Sequence, residues 1–305
     1  MNKAGELLSK EKRVNKIFDQ IVGIPDPKTR IAIPGTGIAE AGDLLFFITH
    51  GSDKQSFYNS RPKTLKTRLI TNPLQPFFRR CSGYSKNDFD EWHVSIYFMG
   101  RKRKRHKRVN VWMLNSQPSI QKKREGVDIR LLSPNFFLSG PTKSRRRMEI
   151  LKFKGINKEQ RKQIKDFSFS KTGSKFDYFI RRKALLTTIF GLPNFLHDQR
   201  MYACQSLIIS AYHAAGICFS HPYHSFPLCN IGRYLGRPLG HSKEKVNPNY
   251  PYLMDHHIYR DPRFEVKAAV FFDQKTNDFK LEKGDIGKYS WNKKLRDIYL
   301  AENRC

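Results

Sequence analysis

The chain has 305 residues, of which 39% are hydrophobic, and its 57 Lys and Arg against 27 Asp and Glu give a formal net charge of +30. This length is enough to bury a substantial core, and five scattered cysteines, an odd number, exclude a disulfide framework. No apolar stretch is long enough to span a bilayer, and the N-terminus lacks the apolar run of a secretory signal. We therefore expect a cytoplasmic protein that contacts membranes, if at all, from the surface.

The first predicted element is an amphipathic helix over residues 5–23. Its apolar face contains Leu7, Val14, Ile17, Phe18 and Ile21. This face can dock on the main domain or lie on an anionic membrane, and docking is the commoner outcome. Prolines and glycines then break the pattern, so residues 1–36 are interpreted as an N-terminal helix and linker.

Two apolar runs predict the centre of a sheet. Leu44–Thr49 follows a Gly-Asp turn and predicts a buried strand, and Trp92–Met99 predicts a second one. Residues 50–90 between them form a polar insertion. The basic run Arg101–Arg108 is predicted to be a hairpin tip, after which Val109–Leu114 returns as a third strand. The period of two in the second strand places His93, Ser95, Tyr97 and Met99 on one face and Val94, Ile96 and Phe98 on the other.

Further strands and helices follow in the second half of the chain. Strands are predicted at Gly126–Leu132, Met148–Phe153 and Ala268–Phe272, helices at Asn157–Phe167 and around 182–190, and an ordered loop at 218–252. Strands in the middle with helices before and after predict an α+β domain with an antiparallel sheet. This domain is expected to span residues 37–272, with 273–305 as a polar peripheral extension.

One predicted helix has a cysteine in its first turn. Leu207, Ile208, Ala211 and Ala214 recur at helical spacing, and Gly216 is a natural stop signal. A thiol in the first turn lies near the positive end of the helix dipole, which favours the nucleophilic thiolate. The alternative is that Cys204 is a small buried core residue, as free cysteines usually are.

A catalytic cysteine needs a base, and the base needs a group that holds its tautomer. His93 is the best-placed base, because side chains at strand ends project into clefts. Asn115 ends the strand that pairs with the His93 strand, and its side-chain oxygen is suited to accept the imidazole N–H. The alternative is an ordinary half-buried histidine.

Five short motifs occur along the chain in a defined order. They are Gly42-Asp43-Leu44-Leu45-Phe46, Trp92-His93-Val94-Ser95-Ile96-Tyr97, Asn115-Ser116-Gln117-Pro118 with Gly126-Val127, Phe176-Asp177-Tyr178, and Tyr202-Ala203-Cys204-Gln205-Ser206-Leu207-Ile208. This order resembles that of the circularly permuted NlpC-type, papain-like thiol hydrolases, which include the lecithin:retinol acyltransferase-like enzymes. The resemblance covers most of residues 41–270 apart from the 50–90 insertion.

The resemblance implies a permuted papain-like fold and a thiol amidase, esterase or acyltransferase that acts on a peptide or lipid substrate without a cofactor. It matches Cys204 to the nucleophile, His93 to the base and Asn115 to the third polar position. The sequence departs from the family pattern after the cysteine, where Gln205 replaces the usual serine and Ser206 the usual glutamate. A peptidoglycan amidase is a further possibility, against which the missing export signal and the cysteine usage argue.

Two other features offer different functions. The series Cys218, His221, His224 and Cys229 has ligand types that bind zinc, but its spacing matches no familiar finger, so no metal is expected. Basic runs at Arg101–Arg108 and Arg145–Arg147 are suited to phosphate backbones or to an anionic leaflet. Base-stacking aromatics are absent from both runs, which argues against sequence-specific RNA binding. The runner-up to the enzyme is therefore a non-catalytic basic module for nucleic acid or anionic membrane. A charged hairpin tip without a partner is the alternative interpretation of the basic run.

Overall fold

The computed structural model describes residues 3–49, 91–102, 109–117, 125–132, 135–138, 146–177, 200–217, 219, 258–259, 261, 263–273 and 275–284. Within these ranges the helices are α1 (Lys3–Val22), α2 (Asn135–Leu138), α3 (Lys158–Ser170) and α4 (Cys204–Ala214). The strands are β1 (Leu44–Thr49), β2 (Glu91–Lys102), β3 (Val109–Gln117), β4 (Gly126–Leu132), β5 (Arg146–Phe153), β6 (Lys175–Phe176), β7 (Met201–Tyr202), β8 (Phe264–Asp273) and β9 (Asp278–Lys283). The predictions for residues 50–90, 103–108, 182–190 and almost all of 218–252 lie outside the described residues.

A large antiparallel sheet forms the centre of the described structure. Its seven strands have the order β4-β3-β2-β1-β5-β8-β9, and β6 and β7 form a separate parallel pair. The predicted α+β class with an antiparallel sheet is confirmed. β1 lies in the middle, which explains its continuous apolar sequence, because both of its faces are covered.

Each face of the sheet has its own core and its own helices. On the first, called the α4 face, one cluster joins strand residues Leu44, Phe46, Val94, Ile96 and Leu114 to helix residues Ile208, Ala211 and Tyr212. On the second, called the α1 face, another cluster joins strand residues Leu45, Phe47, Tyr97, Met148 and Ile150 to helix residues Val14, Phe18 and Ile21. The strand period of two assigns each side chain to its face.

Helix α1 docks on the sheet, as the sequence favoured. Val14, Phe18 and Ile21 are fully buried, whereas Leu7, predicted on the same face, is 53% exposed because it lies near the free end of the helix. The end of α1 approaches β2 closely at Gly100, where an added Cβ would lie 2.2 Å from Val22 Cγ1. A side chain at position 100 would therefore separate α1 from the sheet.

Two sequence-based predictions about the strands are wrong. The polar extension 273–305 contains a strand of the sheet, β9, whose Phe279 is 1% exposed and pairs with Phe272. The sequence did not predict this strand because the segment contains few apolar residues. A bulge between Tyr97 and Met99 also moves Met99 to the α4 face, since an extra residue reverses the alternation.

The chain turns into β1 at a corner made by Gly42 and Asp43. Gly42 has a φ of 90°, which glycine adopts without strain, and its N–H donates to the Tyr97 carbonyl over 3.0 Å. The Tyr97 N–H returns a bond of 2.8 Å to the Asp43 carbonyl. The Tyr212 hydroxyl of α4 donates to the Gly42 carbonyl over 2.7 Å.

The Asp43 carboxylate extends this corner to α3. It is 1% exposed, and Arg161 Nη1 of α3 donates to its Oδ1 over 2.7 Å. The same guanidinium contacts Glu40 Oε2 at 3.0 Å and the Ala41 carbonyl at 3.0 Å. Burial raises the pKa of Asp43 to about 6, and the Arg161 charge opposes this rise.

We predict that Arg161→Met destabilises the fold by about 3 kcal/mol, because it leaves a buried carboxylate without its cation. Urea unfolding measures the change. The matched control is Lys162→Met, which removes an exposed charge from the same helix. The double variant Asp43→Asn/Arg161→Met should recover part of the loss, since it also removes the unpaired charge. Equal stabilities of the Arg161 and Lys162 variants would contradict the role given to this ion pair.

Candidate active site

Cys204 is the first residue of α4 and is partly exposed. The residues before it hold the start of the helix in place. The Tyr202 carbonyl accepts the Ser116 hydroxyl of β3 over 2.5 Å and the Asp177 N–H over 3.2 Å. The Ala203 N–H donates to Ser206 Oγ over 2.8 Å, so a side chain within α4 provides a hydrogen-bond acceptor for the backbone N–H just before the helix. The backbone directly before Cys204 is therefore tied to β3.

The surroundings of the thiol are both polar and apolar. Cys204 Sγ lies 3.0 Å from Gln205 Oε1, to which the thiol donates. Its other side packs against the core of the α4 face. Cys204 is at the start of α4, and the N-terminus of a helix favours a developing negative charge.

His93 and Asn115 lie on neighbouring strands and are joined by a hydrogen bond. His93 Nε2 is 2.7 Å from Asn115 Oδ1, and the Asn115 amide donates to Gln117 Oε1 over 3.1 Å. The second bond orients the Asn115 amide so that its oxygen faces the ring. Nε2 must then bear the proton, which leaves Nδ1 as the proton-accepting nitrogen. The Ser95 hydroxyl lies 3.4 Å from the same Nε2.

The environment of His93 keeps its ring neutral. Burial lowers the pKa of His93 to about 4, the bond to Asn115 opposes this shift, and the Arg130 charge adds to it. The ring also stacks on Phe47, with centroids 6.1 Å apart. At neutral pH the imidazole is therefore a proton acceptor and not a cation.

The structure brings His93 and Asn115 together, and it describes Cys204 against the core of the α4 face. His93 and Phe47 are paired neighbours on the α1 face, whereas Val94, the next residue, belongs to the same core cluster that Cys204 packs against. The hydrogen bonds that the structure describes for the His93 ring go to Asn115 and Ser95. The predicted hydrogen bond between His93 and Asn115 is thus present. The hydrogen bonds described for the His93 ring do not include one to Cys204.

Sequence reasoning missed three polar side chains of this region. Ser116 ties β3 to the start of α4, Gln117 orients the Asn115 amide, and Gln205 accepts a hydrogen bond from the thiol. A signal for the first two was available, because they directly follow Asn115 in the same motif. Gln205 was noted only as a departure from the family pattern.

The other candidate sites are described only in part. The Cys218–Cys229 series lies outside the described residues, and within the described part no group of three His, Cys, Asp or Glu side chains is placed to hold a metal. Two members of the Arg145–Arg147 run make contacts within the protein: Arg146 donates to the Phe136 carbonyl, and Arg147 pairs with Glu149 at 2.6 Å. None of the described helices is long and apolar enough to cross a membrane.

We predict that His93→Gln makes the protein less sensitive to acid. Between about pH 6.5 and pH 4 the unfolded chain binds a proton at His93 that the folded chain does not, so stability falls as the pH falls. Between about pH 6 and pH 3.8 the raised pKa of Asp43 acts in the opposite direction. Removing the imidazole should therefore lessen the stability lost between about pH 7 and pH 4.5 by about 2 kcal/mol.

Urea unfolding of both proteins at the two pH values measures this difference. The control is His213→Gln, because burial also lowers the pKa of His213 but this half-buried ring lies on α4, away from Asn115. An acid response of His93→Gln equal to that of the wild type would contradict a His93 ring that stays neutral in the folded protein.

Comparison with models of known protein families, with functionally characterised proteins and with solved structures finds no match to this chain. The resemblance to permuted papain-like thiol hydrolases thus stays a prediction from the sequence motifs.

Proposed function

We propose that this protein is a cysteine-dependent hydrolase or acyltransferase with a permuted papain-like fold, in which Cys204 is the nucleophile. The proposal rests on one observation: the Cys204 thiol is partly exposed at the first residue of a buried helix whose start is fixed by β3. A helix start stabilises the negative charges that such chemistry creates.

In the proposed reaction the thiolate attacks the carbonyl carbon of an amide or ester. The oxyanion that forms accepts hydrogen bonds from N–H groups at the start of α4. Collapse of this intermediate expels the amine or alcohol, which takes up a proton, and leaves a thioester on Cys204. Water then releases the acid, or an acceptor molecule takes the acyl group. The substrate class is a peptide or a lipid.

His93 is proposed as the base and Asn115 as the residue that positions it. Their 2.7 Å hydrogen bond leaves Nδ1 to accept the thiol proton. The described contacts of the ring are with Phe47, Asn115 and Ser95, and those of the thiol are with Gln205 and the core of the α4 face. The role of His93 is therefore tested separately from that of Cys204.

We predict that Cys204 reacts with iodoacetamide at neutral pH at least about tenfold faster than Cys81, Cys218, Cys229 and Cys305. Mass spectrometry of the alkylated peptides measures the rates. Cys204→Ala should abolish turnover of an activated thiol-reactive ester, whereas Cys305→Ala should retain it. Retained ester turnover in Cys204→Ala would contradict the proposed nucleophile.

His93→Gln should slow ester turnover by about 10²-fold and remove the dependence of kcat/KM on a group that titrates below neutral pH. The control is Ser95→Ala, which removes the weaker neighbour of the same nitrogen. If His93→Gln leaves both the rate and its pH profile unchanged while Cys204→Ala is inactive, another group serves as the base.

The second candidate function is a non-catalytic basic module for a polyanion. One observation favours it, namely the net charge of +30. This function predicts equally slow alkylation of all five cysteines together with salt-sensitive retention on a polyanion. Selective, rapid alkylation of Cys204 would contradict it.

A further inference from the structure

An exposed hairpin with three isoleucines follows α1. Its two arms pair at Pro25 and Ala32, and the Ile33 N–H donates to the Ile24 carbonyl over 2.9 Å. In this register Ile24 lies opposite Ile33, and Ile31 lies two residues along the same face. The three side chains are 62%, 40% and 40% exposed for Ile24, Ile31 and Ile33 respectively. We call residues 24–33 the isoleucine hairpin.

The hairpin extends the end of β2. Ile31 pairs with Arg101. Two backbone hydrogen bonds of 3.0 Å flank this pair, one from the Ala32 N–H to the Gly100 carbonyl and one from the Lys102 N–H to the Arg30 carbonyl. Because paired residues of antiparallel strands share a face, exposed Arg101 lies beside Ile31. The opposite face, which contains Ala32, packs towards the core of the α1 face.

The turn of the hairpin is held by its own hydrogen bonds. Asp26 Oδ1 accepts the Lys28 N–H over 3.0 Å and the Thr29 N–H over 2.7 Å, and it accepts the Thr29 hydroxyl over 2.9 Å. The Asp26 carboxylate is on the isoleucine face, but these bonds direct it into the turn. The cation of Lys28 is exposed at the tip.

From this surface we infer that the isoleucine hairpin and the adjoining end of β2 dock the protein on an anionic lipid bilayer. Three exposed aliphatic side chains on one face are suited to the acyl region just below the headgroups. Arg101 and Lys28 beside them fit acidic headgroups. In the sequence, Lys102 is followed by Arg, Lys, Arg, His, Lys and Arg.

Nucleic acid explains this surface less well. A phosphate backbone would use the cations but would leave three isoleucines in contact with water. No aromatic side chain lies among residues 24–33 to stack on a base. The combination of aliphatic and basic side chains therefore favours a membrane, and this inference does not depend on the proposed thiol chemistry.

The test measures binding of the full chain to sedimenting vesicles of neutral phosphatidylcholine, with and without about 30 mol% phosphatidylserine. We expect binding to the anionic vesicles that weakens with salt. Ile24→Ser/Ile33→Ser should reduce it roughly tenfold or more, because apolar area would no longer leave water. Arg101→Glu should reduce it about tenfold.

Matched controls lie on α1. Leu8→Ser removes an aliphatic side chain that is 54% exposed, about 20 Å along the helix from its end at Val22. Lys12→Glu makes the same change of net charge as Arg101→Glu at another exposed position. Both controls should bind within about twofold of the wild type, and Cys204→Ala should bind like the wild type.

Insertion itself is observed with Ile33→Trp, whose emission should shift to shorter wavelength on anionic vesicles, whereas that of Leu8→Trp should not. The fluorescence of the three native tryptophans is removed by subtracting the spectrum of the wild type under the same conditions. The inference is overturned if the wild type does not bind anionic vesicles, if it is retained only on RNA, or if the hairpin variants bind vesicles as well as the Leu8 and Lys12 variants do.

Discussion

The buried ion pair between Asp43 and Arg161 is the contact on which the arrangement of the sheet and its helices depends. The 2.7 Å bond links the start of β1, the central strand, to α3. The same two-residue corner exchanges backbone bonds with Tyr97 of β2 and accepts the Tyr212 hydroxyl of α4. A desolvated carboxylate is tolerated there only because its cation is present. Four elements thus obtain their relative positions from one turn.

The sheet that results has a consequence for chemistry. Because successive side chains of a strand point to opposite faces, Val94 belongs to the core of the α4 face, whereas His93 stacks on Phe47 of the α1 face. Asn115 and Gln117 form a polar line with His93 on the α1 face, whereas Ser116 between them reaches to the α4 face and fixes the start of α4. A shift of one residue along β3 therefore decides whether a polar side chain contacts His93 or the backbone before α4.

Much of the fold was predictable because its signals are local. Apolar runs and alternation located β1, β2, β4 and β5 within a few residues, and the Asn157 cap with Gln160 explains the start of α3. The pair of His93 and Asn115 followed from two strands that join across one hairpin. β9 was missed because its burial comes from pairing with β8 and from covering by α1, neither of which is visible in its own sequence.

By itself the sequence determined the residue types available for chemistry, the basic character of the surface, the antiparallel α+β class and the neighbour of His93. Only the tertiary structure decided which face of the sheet each group occupies relative to α4, and that three isoleucines separated along a polar linker lie side by side beside Arg101. The physical reason is that period and propensity act over a few residues. Pairing partners, bulges and the covering of a face are set by contacts between distant segments.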